Sequence, residues 1–259
     1  MIRARNLTLD IGSRRLLEDV SFQIERASFT AVLGPNGVGK TTLLRTIAGL
    51  RVADHGTLLV DEAPLRELDA RLRARRIAFV AADEEPSDGL SVREVVATAR
   101  YAFHRWWEWY ETQEDCTAID DALAIVAMNG YADRRFATLS SGERQRVWLA
   151  LALAQEAPIL LLDEPTSHLD VRVAHQILDL LRSLARAGKT IVCALHDLND
   201  AAAYADRLLL LGCGRLLADD TPEHVLAGSW LEAAYGIGME TVRTPSGQTF
   251  VFPRLRAPR

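Results

Sequence analysis

The sequence has no apolar run near the ~18–20 residues that a helix needs to cross a bilayer. The longest candidate, "VWLALALA" (Val147 to Ala154), stops at Gln155-Glu156. The start, "MIRARNLTLDIG", shows no apolar core of signal-peptide length. Any work at a membrane is therefore expected from outside the bilayer. Cysteine is scarce, with Cys116, Cys193 and Cys213 far apart. An odd, scattered count argues against a disulfide frame or zinc site and for reduced thiols. A basic surplus is missing too. Lys plus Arg number 30 against 35 Asp plus Glu, a net charge of -5. That weighs against nucleic acid as a partner. There is no internal repeat and no low-complexity tract.

What is present suits a soluble α/β chain of 259 residues, 49% hydrophobic. "FTAVL" (29–33), "ILLL" (159–162), "TIVCAL" (190–195) and "RLLLL" (207–211) are short, Val/Leu/Ile-rich runs. Such runs suit parallel strands covered on both faces. Helical patterns alternate with them. One after Lys40 places Leu43, Leu44, Ile47 and Leu50 on one face. Another runs from about Val171 to Ala187 and stops at Gly188. The stretch from about Ser91 to Phe136 has helical periodicity without a clear strand. Ser91 and Glu94 have capping-box spacing at its start. At "TPEHVL", Thr221 is expected to cap a helix with Pro222 in its first turn. "METVRTPSGQTFVFP" is expected to form a hairpin about Pro245-Ser246-Gly247.

Two segments carry chemistry. "LGPNGVGKTTLL" holds Gly34-x4-Gly39-Lys40-Thr41 between a predicted strand and a predicted helix, the context a phosphate loop requires. Glycines let backbone N–H groups surround phosphate oxygens, and the helix start adds positive charge. Lys40 reaches the β- and γ-phosphates, and Thr41 offers a hydroxyl to Mg²⁺. "ILLLDEPTSHLD" places Asp163 and Glu164 at the end of a buried strand. Asp163 suits a metal-holding role and Glu164 a general base. Alone, an Asp-Glu pair would more often be turn chemistry; beside a phosphate loop the metal and base roles gain weight.

A third segment, "LSSGERQRVWLALALA", reads first as a well-capped helix with Ser140 and Glu143 at capping-box spacing. Taken with Gly34–Thr41, Asp163-Glu164 and "LHD" at 195–197, the set resembles the ATP-binding-cassette ATPases. The likeness covers most of residues 1–220. It implies a P-loop core with a mainly parallel sheet, an antiparallel β subdomain and an inserted helical subdomain at about 91–155. Residues 221–259 are then a helix-and-hairpin extension. ATP and Mg²⁺ are the implied ligands, with Gly34, Pro35, Asn36, Gly37, Gly39, Lys40, Thr41 and Thr42 along the phosphates and Thr41 and Asp163 on the metal. In that family two copies sandwich ATP head to tail. Ser140, Ser141, Gly142 and Glu143 would face the γ-phosphate held by the other copy. Asp170 would lie in the loop crossing the interface, and His196 would contact the γ-phosphate beside Glu164.

The departures are Ser141 and Glu143 for the commoner Gly and Gln, Ile11 where an adenine-stacking aromatic is usual, and Ala82 where a loop glutamine is usual. Arg14 or Arg15 is a candidate cover for the base. No glutamine lies between Gln23 and Gln113, so a register shift cannot restore the amide. Asp83 sits one residue on, and Glu84 and Glu85 read as a solvated face or a contact for basic helices. "VREVVATARYAFHRWWEWY", "TPEHVLAGSWLEAAYGI" and "LHDLNDAAAYADRLLLL" resemble the iron-siderophore, haem and cobalamin importers. Trp106, Trp107 and Trp109 suit subdomain packing or a docking face. The implied partners are polytopic permease subunits, a second copy of the chain and, indirectly, a substrate-binding protein, at the cytoplasmic face of the plasma membrane. A degenerate, weakly hydrolysing cassette and a soluble non-transport ATPase are the alternatives.

Overall fold

The computed structural model describes residues 1–81, 89–104, 110–244 and 249–254. In chain order the strands are β1 (Ile2–Ile11), β2 (Arg14–Ile24), β3 (Phe29–Leu33), β4 (His55–Val60), β5 (Ala63–Pro64), β6 (Ile77–Val80), β7 (Ile159–Asp163), β8 (Thr190–Ala194), β9 (Arg207–Gly212), β10 (Arg215–Asp220), β11 (Met239–Arg243) and β12 (Thr249–Pro253). The helices are α1 (Lys40–Ile47), α2 (Ala70–Ala74), α3 (Val92–Ala97), α4 (Gln113–Ile125), α5 (Ser141–Ala154), α6 (Val171–Arg186), α7 (Leu198–Tyr204), α8 (Pro222–Ala227) and α9 (Trp230–Tyr235).

The central sheet has the order β10-β9-β3-β8-β7-β6, with parallel pairing from β9 through β6 and β10 antiparallel at one edge. Its middle strands, β3, β7 and β8, are buried along their whole length. The alternation of side chains explains why they read as unbroken apolar runs. Phe29, Ala31, Leu160, Leu162, Ile191 and Cys193 face one core, shared with α3, α4, α5 and α6. Val32, Ile159, Leu161, Val192 and Ala194 face the other, shared with α1 and the antiparallel sheet β2-β1-β4-β5. Each strand thus serves two cores, and the polar residues these strands carry, Thr30, Thr190 and Asp163, are themselves buried.

Because β3, β8, β7 and β6 run parallel, their C-terminal ends share one edge. Val32 and Asp163 both stand level with Ala194 across the ladder. The residues that follow these strands, Gly34, Glu164 and His196, therefore gather on that edge, where open α/β sheets bind ligands.

Local signals hold in most places. The Ser91/Glu94 capping box forms on α3, and a second, Thr112/Asp115, opens α4. Helix α6 ends with Ala187 at its C-cap, and Gly188 follows at φ +104°. β11 and β12 pair antiparallel as the expected hairpin, though residues 245–248 lie outside the described residues. Two expectations need correction. Leu50 is not on the buried face of α1. The helix ends at Ile47, Gly49 turns at φ +70°, and Leu50 is 65% exposed. Thr221 occupies the N-cap of α8, but its hydroxyl makes no capping hydrogen bond. It faces His224 Nδ1 at 3.3 Å instead, so Pro222 and the first-turn Glu223 supply the local helix-start signals.

Candidate active site

The loop from β3 into α1 turns on its glycines. Gly34 sits at φ +146°, and a Cβ there would lie 2.5 Å from the Leu211 carbonyl oxygen. Gly39 caps α1 at φ +116°. Side chains cannot follow this path, and the backbone is left to line the cleft. Lys40 opens α1 and is buried; its Nζ donates to the Gly34 carbonyl at 2.9 Å. Burial pulls its pKa down, against the opposing pull of Glu164 and Asp163. The ammonium thus sits folded against the loop carbonyls, where both carboxylates act on its charge.

Asp163 ends β7 and is 4% exposed. Burial holds its carboxyl above the ordinary range, opposed by Thr41, then reinforced by Glu164. Its Oδ1 is buried without a hydrogen-bond partner. An orphaned buried carboxylate oxygen next to a threonine hydroxyl is the donor set a hard cation accepts, so these residues fit Mg²⁺. Glu164 follows at φ +53°, and its N–H donates to the Ala194 carbonyl on β8. That turn aims its carboxylate at His196, whose Nε2 lies 2.5 Å from Glu164 Oε2. Ser167 Oγ donates to the same oxygen at 3.2 Å, a partner that sequence reading missed.

A cleft of about 250 Å³ joins these groups, with Asn36, Gly37, Gly39, Lys40, Thr41, Thr42, Glu164 and His196 along it. Ile11 and Leu16 form its apolar wall. Ile11 stands at the tip of the β1–β2 hairpin, half exposed, opposite Arg14. Arg15 does not line the cleft; Asp10 and Glu18 hold it at 3.2 and 2.8 Å. Leu16, not an arginine, is the second apolar group. A larger cleft of about 300 Å³ beside the end of α1 holds none of the motif carboxylates and no part of the phosphate loop. Tyr235 of α9 approaches the phosphate loop without any local sequence signal. Its buried hydroxyl makes no hydrogen bond of standard geometry, and burial pushes it up to about 12, opposed by the Gly34 N–H.

Ser140, Ser141, Gly142, Glu143 and Asp170 do not line this cleft. Ser140 caps α5, its N–H and hydroxyl both donating to Glu143 Oε2 at 2.8 Å. These bonds hold the Glu143 carboxyl below its ordinary range. Asp170 caps α6 through the Val173 N–H at 3.0 Å. The two helix starts are neighbours, since a Cβ on Gly142 would meet Val173 Cγ1 at 3.0 Å. They form a second polar surface, set apart from the phosphate cleft. Ala82, Asp83, Glu84 and Glu85, and likewise Trp106, Trp107 and Trp109, lie outside the described residues.

A glycine loop entering a helix and a carboxylate pair on the same sheet edge define a nucleoside triphosphatase of the P-loop class. The family model described as "ABC transporter" matches residues 17–167. The ferric enterobactin transport ATP-binding protein FepC of Escherichia coli is 36% identical over 97% of this chain and 93% of its own length. The hemin import ATP-binding protein HmuV of Streptomyces coelicolor is 40% identical over 96% and 89%. Among solved structures, a chain of a transporter assigned to the metal-chelate ABC type superposes with TM-score 0.86 and 26% identity, covering 98% of both chains. A cassette dimer in a post-hydrolysis state with ADP and Pi gives 0.75 and 27%, over 86% of this chain and 99% of its own. The chain belongs to the ABC transporter ATP-binding family.

Proposed function

We propose that this chain is the ATP-hydrolysing subunit of an importer for a metal chelate of the siderophore, haem or cobalamin kind. The relatives named for ferric enterobactin and hemin transport support that substrate class. The observation that carries the catalytic reading is the 2.5 Å contact of Glu164 with His196, on the sheet edge that also holds Lys40, Thr41 and Asp163.

In this reading the loop N–H groups, Lys40 and the α1 start bind the triphosphate. Thr41 and Asp163 would hold Mg²⁺, which would supply charge neutralisation to the bound triphosphate. Glu164 orients the attacking water and takes its proton. His196 fixes the Glu164 carboxylate and donates toward the γ-phosphate. A second copy, placed head to tail, brings Ser140, Ser141, Gly142 and Glu143 to that phosphate from the far side. The Ser140 hydroxyl, the Gly142 N–H and the α5 start are the donors. Asp170 lies in the loop between the copies. Residues 1–220 form the ATPase domain, with about 91–155 as its helical part, and 221–259 form an extension.

Among the described residues no helix is long and apolar enough to cross a membrane. We place the chain at the cytoplasmic face of the plasma membrane, held there by polytopic permease subunits and served indirectly by a substrate-binding protein. Mg²⁺-dependent ATP hydrolysis by the purified chain, against Glu164→Gln, tests the catalytic part. General-base loss costs roughly 10²–10⁴ in rate. A wild-type rate no higher than the variant's would overturn it. Co-purification with two polytopic subunits encoded beside it tests the transport part.

A further inference from the structure

We propose that Asn199 is a positioning residue for His196, and that it acts by fastening the start of α7 to the C-terminal hairpin. The inference rests on the catalytic reading of His196 and adds to it a device from the extension.

The side-chain amide of Asn199 meets both backbone groups of one β12 residue. Its Oδ1 accepts the Val251 N–H at 2.8 Å, and its Nδ2 donates to the Val251 carbonyl at 3.3 Å, across 52 residues of chain. A carboxamide presents a donor and an acceptor side by side, as a strand edge does. Asn199 therefore completes the outer edge of β12 as a neighbouring strand would. Its own N–H donates to Asp197 Oδ1 at 2.7 Å, part of the cap that starts α7 one residue after His196. The path is short: β12, the Asn199 amide, the Asp197 cap, then His196 and Glu164.

Helix α7 packs on the larger core through Ala201, with Leu198, Ala202 and Tyr204 against it, but it does not fill the space toward the extension. A cleft of about 220 Å³ lies where Ala202 and Ala203 of α7 approach Leu226 and Phe250. The small side chains leave this gap, and Asn199 lines it beside its two hydrogen bonds to Val251. His196 is itself exposed, its side chain at 42%, so burial does not set its orientation. The hairpin, by contrast, is anchored. Val251 is 5% exposed and joins the larger core. Helix α9, which leads into the hairpin, packs hard on the sheet, since a Cβ on Gly212 would lie 2.9 Å from Ala234 Cα. Gly212 ends β9, the neighbour of β3 and thus of the strand that feeds the phosphate loop. The extension is therefore fixed to the core at one end and grips the His196 segment at the other. An imidazole that must meet a carboxylate within hydrogen-bond distance gains from such a support, because small misplacements are expensive in rate.

The test is steady-state ATP hydrolysis by the full chain with Mg²⁺, active sites being counted by nucleotide binding. Asn199→Ala is expected to lower kcat about three- to tenfold and to leave KM for ATP within about twofold, since the phosphate loop is untouched. Asn199→Asp keeps the acceptor for the Val251 N–H and is expected to fall between wild type and Asn199→Ala. It also serves where the alanine variant does not fold. The double variant Asn199→Ala, His196→Ala should be no slower than His196→Ala alone, because both changes remove the same interaction. A destabilised but otherwise indifferent site would instead lose active sites with kcat per site unchanged, and this outcome overturns the proposal. So does wild-type kcat in both Asn199 variants, or a double variant slower by the product of the single losses. Wild-type kcat in His196→Ala would overturn the reading of His196 itself, whatever the Asn199 variants do.

Discussion

Substituting Asn for Asp115 tests whether the helical region is held by a buried charge pair. The Arg100 and Asp115 side chains are 6% and 2% exposed, with Arg100 Nε donating to Asp115 Oδ1 at 2.8 Å. Arg100 Nη1 also donates to the Ala154 carbonyl at 2.9 Å and to Glu156 Oε2 at 2.6 Å, and the guanidinium lies 3.9 Å over the Phe103 ring. The other Asp115 oxygen takes the Thr112 N–H at 2.9 Å and meets His104 Nε2 at 2.8 Å. Removing one partner of a buried pair costs about 3–5 kcal/mol, because the other charge stays buried. In Asp115→Asn, Arg100 keeps Glu156, but the single amide oxygen cannot accept from both Arg100 and Thr112, so a loss within that range, about 3–5 kcal/mol, is expected.

The pH dependence has a definite sign. Burial raises the Asp115 carboxyl, but the Thr112 and Arg100 hydrogen bonds and His104 outweigh it, and the folded-state pKa lies below the ordinary value of 3.8. A depressed carboxyl contributes stability that is fully present above its unfolded pKa and is lost as pH falls through the folded one. The gap between wild type and Asp115→Asn should be constant near neutrality and should narrow only below about pH 4. Urea denaturation at several pH values measures it. A loss under about 1 kcal/mol at pH 7, or a gap that narrows already between pH 7 and 5, would refute the assignment. Because Arg100 also holds the last carbonyl of α5, whose other end carries Ser140, hydrolysis should fall more than nucleotide affinity.

Gly34→Ala forces a Cβ to 2.5 Å from the Leu211 carbonyl oxygen at φ +146°. It should abolish nucleotide binding, measured by titration. Gly37→Ala, with φ +74° and open space around the new Cβ, should cost only about 1 kcal/mol in a thermal melt. Asp163→Asn removes a buried charge whose Oδ1 has no partner. Without nucleotide the variant should be at least as stable as wild type, yet its Mg²⁺-dependent hydrolysis should fall by about 10² or more; lower stability with retained hydrolysis would contradict both roles.

The parts legible in sequence are those whose chemistry is local. Phosphate binding needs successive backbone N–H groups, so Gly34 to Thr41 must be contiguous and can be read as a string. A strand covered on both faces is apolar along most of its length, and the parallel order then carries Gly34, Glu164 and His196 to one edge without any further signal. Periodicity misled at Leu50 because the count ran past a glycine at φ +70°, which ends the helix before the next buried position. Thr221 misled because a capping residue type does not guarantee a capping rotamer. The contacts that escaped are of another kind. Arg100 with Asp115 and Asn199 with Val251 join residues 15 and 52 positions apart, and each involves a residue type common on any surface. Nothing in their neighbours marks them, since an amide seated on a distant strand places no demand on the residues beside it. The reactive groups therefore announce themselves, whereas the contacts that hold them in place become visible only when the chain is folded.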